Sequence, residues 1–113
     1  MHKTKIELLG IKYFLGLGFL NELVNGTGKK LTDFEGMDDA LLIPLLMYYS
    51  RLYACKRLGV IVDFTQEDIF DYIDENGGVG GQLFADFSAA YIKAMTQDVP
   101  VSDKKKVIPT KLK

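Results

Sequence analysis

Along this chain the spacing of apolar residues changes from block to block, and each change marks an element. Ile6-Glu7-Leu8-Leu9 and Ile11-Lys12-Tyr13-Phe14 flank Gly10 and have the content of two short strands. They predict an N-terminal hairpin with Gly10 in its turn. Phe19, Leu20, Leu23 and Val24 then recur at helical spacing and stop at Asn25-Gly26-Thr27-Gly28, which predicts a first helix of about ten residues. In the connector that follows, Thr32 and Asp33 suit a helical turn, while Gly36 argues against a continuous helix.

The longest helix starts at Asp38 or Asp39 as N-cap and runs to about Arg57. Pro44 falls in its second turn, where it kinks or tightens the helix. Leu41, Leu42, Ile43, Leu45, Leu46, Met47, Tyr48, Tyr49, Leu52 and Tyr53 cover nearly its whole circumference, the mark of a centrally buried helix. Lys56 and Arg57 suit the negative end of its dipole, and Gly59 closes it.

Residues 63 to 75 hold six carboxylates and no base. Thr65 followed by Asp68 reads as a variant capping box, so a third helix begins there. Ile69, Phe70 and Ile73 share one side of it, and Glu67, Asp71, Asp74 and Glu75 share another. This is the pattern of a short acidic helix packed on an apolar partner. It stops at Asn76-Gly77-Gly78, and Gly77 to Gly81 read as a flexible hinge. A last helix runs from about Gln82 to Thr96, with Leu83, Phe84, Phe87, Ala90, Tyr91 and Ala94 in one apolar stripe. The expected fold is therefore mainly α, a compact bundle of about four helices with a short N-terminal hairpin. No internal repeat is apparent.

Length and charge refine this picture. A chain of 113 residues with 48% hydrophobic content is one domain with a single core, assigned to residues 1–97. Residues 98–113 carry five lysines against Asp98 and Asp103, a net +3, which leaves −4 for the rest of a chain whose net charge is −1. With Pro100 and Pro109 and few apolar residues, this end reads as a disordered basic tail. Neither charge is large enough to make the body a nucleic-acid binder. Cys55 is the single cysteine, which excludes an intrachain disulfide and suits a reduced setting and a small buried apolar role. The start has neither a signal-peptide core nor a cleavage site, and the apolar run from Ala40 to Tyr49 is far short of the roughly 20 residues of a membrane span.

Recognisable catalytic chemistry is missing. Asn25-Gly26-Thr27-Gly28-Lys29-Lys30 invites comparison with a phosphate loop, but Leu23 and Lys30 occupy the positions that need Gly and Ser or Thr. The glycines at 77–81 lack the strand and acidic partner of a dinucleotide site. Carboxylates spread along a helix do not wrap a calcium ion, and with His2 remote no transition-metal set forms. Cofactors are therefore expected to be none. Tyr48, Tyr49 and Tyr53 are either a contact patch or core, with core favoured for Tyr49 and Tyr53. Glu67, Asp71 and Asp74 are a solvated face that also suits docking of a basic partner. Lys104-Lys105-Lys106 suits contact with nucleic acid or an acidic protein surface.

The succession of parts resembles the tail assembly chaperones of long-tailed bacteriophages and prophages. Ile6 to Tyr13 is similar to that family's short hairpin, and Leu17 to Gly28 to its first helix with a glycine-marked end. Leu45 to Lys56, with Tyr53-Ala54, resembles the central helix, and Phe64 to Asp74 the acidic helix. The resemblance implies a non-enzymatic protein of the host bacterial cytoplasm that binds the tape-measure protein and keeps it soluble while tail tube protein polymerises around it. It also implies a longer form made by frameshifting, for which Lys104-Lys105-Lys106 marks a suitable place. Self-association suits such a role through multivalency. The alternative reading is a small helical regulator or adaptor that binds nucleic acid through the basic tail.

Overall fold

The structure, a computed structural model, describes residues 4–97. Strands β1 (Lys5–Leu8) and β2 (Ile11–Phe14) pair antiparallel, with Ile6 opposite Tyr13 and Leu8 opposite Ile11. Leu9 and Gly10 join them, both at positive φ (53° and 80°), as a two-residue hairpin turn matched to strand twist requires. Gly10 is in the turn, as the spacing predicts. Tyr13 and Phe14 are buried, and β2 packs on the long helix.

Helix α1 (Leu17–Thr27) ends where Gly28 adopts the left-handed conformation and its N–H donates to the Val24 carbonyl. A single 3-10 turn, Leu31–Phe34, follows, with the Asp33 carboxylate accepting from the Lys30 N–H at 2.9 Å. It buries Phe34. Helix α2 (Asp39–Leu58) continues through Pro44, whose missing N–H leaves the exposed Ala40 carbonyl to water. Gly59, at φ 71°, closes it. The one buried polar side chain in its middle, Ser50, is satisfied locally: its hydroxyl donates to the Leu46 carbonyl at 2.7 Å.

Helix α3 (Gln66–Glu75) opens on the capping box foreseen from Thr65 and Asp68. The Asp68 N–H donates to the Thr65 hydroxyl at 3.2 Å, and the Thr65 N–H to the Asp68 carboxylate at 2.8 Å. Helix α4 spans Gln82–Gln97 and buries Leu83, Phe84, Phe87 and Ala94. The described residues are thus mainly helical, four helices and one hairpin, with the core where α2, β2 and α4 meet. Tyr13 meets Phe87 edge-on at 5.3 Å, Phe87 stacks with Tyr91 at 6.5 Å, and Phe19 reaches Tyr91 at 6.4 Å. The expected tail, residues 98–113, lies outside the described residues.

Four expectations need correction. Helix α2 is not apolar-packed all round, because Leu41 in its first turn is 65% exposed. In α3, Ile69 and Ile73 are buried but Phe70 is 46% exposed and faces away from the core. The aromatic anchor here is Phe64, just before the helix: its ring meets Tyr48 edge-on at 5.6 Å, and the Arg51 guanidinium lies 4.1 Å above it. Cys55 is half-buried. The Gly77–Gly81 segment is a tight 3-10 turn, Gly78–Gly80, in which a side chain on Gly81 would meet the Gly77 Cα at 2.7 Å. Its glycines answer a steric demand, since the two ends of the turn cross in contact.

Candidate functional site

The surface best suited to a partner is built on α1. Phe19 and Leu23, four residues apart, point into the core. Two glycines on the flank toward α2 let that helix come close. A methyl on Gly18 would clash with the Tyr53 ring, and one on Gly26 with the Tyr49 ring. Between them Glu22 accepts from the Lys56 ammonium at 3.0 Å. Leu17, Leu20 and Val24 line the remaining flank at i, i+3 and i+7, with Leu20 and Val24 half-buried. Leu17 is 84% exposed.

Leu31 of the 3-10 turn, 49% exposed, completes an open apolar groove of about 590 Å³ with these three. Leu20 and Leu31 also line an adjoining hollow of about 280 Å³, floored by Phe34, Met37, Leu42 and Leu46. Glu35 and Asp39 supply the charged groups of that hollow, both carboxylates. Tyr91 closes its base as a neutral phenol, since burial raises its pKa. The eleven residues of α1 give the groove a length of about 16 Å, or three turns of a partner helix. The arrangement is an apolar groove flanked by two carboxylates. It suits an amphipathic helix that lays apolar anchors on Leu17, Leu20, Val24 and Leu31 and places basic residues near Glu35 and Asp39.

The residues singled out from the sequence fall elsewhere. Tyr48 is half-buried and edge-on to Tyr49 at 4.9 Å, which makes it packing rather than groove. Tyr49 is buried, its pKa raised first by burial and then by Tyr48 and Glu22. Glu67, Asp71 and Asp74 are exposed together on the solvent side of α3, as their spacing predicts, but the groove does not include them. Lys104, Lys105 and Lys106 lie outside the described residues. Helical spacing groups Leu20 and Val24 with Phe19 and Leu23 but does not tell which of the four the core takes. A signal was available: four apolar positions in six residues, with Leu17 before them, are more than one buried stripe of a short helix accommodates.

No family model, curated protein or solved structure matches this chain. Among the described residues, no group of three His, Cys, Asp or Glu side chains is placed to hold a metal ion. No helix among them is long and apolar enough to cross a membrane.

Proposed function

We propose that this protein is a non-enzymatic tail assembly chaperone of the phage kind, which covers amphipathic helical segments of a tape-measure protein and keeps them soluble. The observation that carries the reading is the exposed groove of Leu17, Leu20, Val24 and Leu31. Leu17 and Leu31 stand exposed at its rim over half-buried Leu20 and Val24, an open apolar groove of the kind that a partner ordinarily covers. The groove has the length and apolar character for a helix, and the adjoining carboxylates select one with basic flanks. The acidic face of α3 then keeps the loaded complex soluble. The order of elements (hairpin, glycine-ended helix, central helix, acidic helix) supports the same reading.

The test is co-expression with a long, coiled-coil-rich protein encoded beside this chain, scored by the soluble fraction of that protein. The expected result is a soluble partner with the native chain and an insoluble one with a Leu17→Asp, Leu31→Asp double variant that remains folded. A partner that stays equally soluble with the double variant would remove the groove from the mechanism. Lack of any such neighbouring reading frame would count against the chaperone reading itself.

A further inference from the structure

A second apolar surface lies away from the groove, where α2 ends beside the hairpin turn. The chain leaves the helix as Leu58-Gly59-Val60-Ile61-Val62-Asp63, and Leu58, Val60, Ile61 and Val62 are all exposed. Ile61 is 84% exposed. The Val60 N–H still donates to the Cys55 carbonyl at 2.9 Å, but the backbone groups of Ile61, Val62 and Asp63 bond to none of the described residues. Three β-branched side chains and an open backbone edge are thus held in water together, a combination that proteins ordinarily cover. Next to it is a hollow of about 190 Å³ walled by Ile11, Ala54, Cys55, Leu58 and Val60. Its charged lining residues are Lys12 and Arg51, both cationic.

We infer that a second copy of this chain covers this surface, with Ile61 of each copy seated in the hollow of the other. Knob and hollow are neighbours on one face: Val60 lines the hollow and Ile61 projects beside it. A single two-fold axis therefore fills both hollows at once, the self-complementarity that a closed dimer needs. Charge agrees with the same arrangement, because Asp63 follows the knob by two residues and arrives at the cationic lining of the other copy. The two exposed segments run antiparallel across that axis, so their free backbone groups pair. An unrelated apolar peptide would fill the hollow but would not bring the carboxylate with it. The surface shares no lining residue with the groove on α1, so this dimer stands or falls independently of the chaperone reading.

Cys55 in the wall of the hollow provides the test. The full chain carrying Ile61→Cys is oxidised mildly, and the linked peptides are identified by mass. The expected product is a dimer joined between the introduced thiol and Cys55 of the other copy. A product joined only within one chain, or only between like positions, overturns the arrangement. Sedimentation of the native chain gives the second readout. A dimer is expected, and Ile61→Asp, a change at an exposed position that leaves the fold intact by circular dichroism, weakens it at least about tenfold, or about 1.4 kcal/mol. A native chain that sediments as a monomer up to the millimolar range, or an Ile61→Asp dimer of unchanged affinity, overturns the proposal. Leu17→Asp, in the groove, leaves the dimer unaffected, and loss of the dimer in that variant would overturn it too.

Discussion

Helices α1 and α3 are nearly equal in length and both pack on α2, yet they show opposite faces to solvent. The outer side of α1 carries exposed Leu17 and half-buried Leu20 and Val24 beside Asn21 and Asn25, whereas that of α3 carries Glu67, Asp71, Asp74 and Glu75, with Phe70 as its one large apolar residue. Each buries two aliphatic or aromatic anchors, Phe19 with Leu23 and Ile69 with Ile73. The inner faces therefore do the same work, and the fold alone requires nothing more of the outer ones. An acidic outer face has a sufficient reason in solubility, while an apolar one calls for a partner. The useful contrast is between what a helix presents beyond its anchoring needs.

The largest expected effect tests what the two helices share. Leu46 lies on α2 at the floor of the groove hollow and is 1% exposed. Leu46→Asp places an unpaired carboxylate in the core and is expected to unfold the domain, a loss of several kcal/mol (~4 or more), seen as lost helical circular dichroism. A folded Leu46→Asp variant that has merely lost its partner would make the position part of the binding surface instead. The next effect separates the helices. Leu17→Asp with Leu31→Asp is expected to weaken partner binding at least about tenfold at unchanged melting temperature. Asp71→Asn with Asp74→Asn is expected to change affinity less than about twofold, measured by titration with the same peptide. Equal losses from the two pairs would erase the contrast and return α3 to the binding surface.

Helix ends and the hairpin turn were legible in the sequence because they depend on local chemistry: left-handed glycines at 10, 28 and 59, and the reciprocal bonds of Thr65 and Asp68. The four-helix architecture followed from the periods between them. Orientation was not legible to the same degree. Spacing tells which residues share a face, but the core is chosen by neighbours distant in sequence. Phe70 and Ile69 are adjacent and both large, yet Phe64 already fills the aromatic place over Tyr48, and Phe70 turns outward. Gly18 and Gly26 acquire meaning only when the Tyr53 and Tyr49 rings of α2 arrive against them. The candidate groove inherits this limit, since its leucines are surface residues only once α2 has taken the other flank of α1.

A smaller pair of effects sharpens the anchoring side of the comparison. Ile69→Ala is expected to cost about 2–4 kcal/mol, whereas Phe70→Ala is expected to stay within about 0.5 kcal/mol in denaturant titration. Comparable losses would mean that Phe70 packs inward as its spacing alone suggests. Thr65→Ala, which removes half of the capping box, is expected to cost about 1 kcal/mol.

The smallest effect concerns Tyr13, whose hydroxyl is buried beneath the hairpin with no hydrogen-bond partner among the described residues. Burial holds its pKa far above the ordinary value of 10.0, with Tyr72 of α3 pushing the same way and Arg51 opposing. The phenol therefore stays neutral in the folded chain at pH values where the unfolded chain ionises. Its contribution is complete below pH 10 and is lost as pH rises above that value, because only the unfolded state releases the proton there. Tyr13→Phe removes both the orphan hydroxyl and this titration. At pH 7 the variant is expected to be as stable as the native chain or up to about 1 kcal/mol more stable, and its stability falls less steeply above pH 10. A loss of more than about 1 kcal/mol at pH 7 would show that the hydroxyl is bonded after all, through a buried water bridging β2 to α3. The α3 side of the core would then rest on a buried polar link, whereas the polar link of the α1 side, Glu22 to Lys56, lies at the surface.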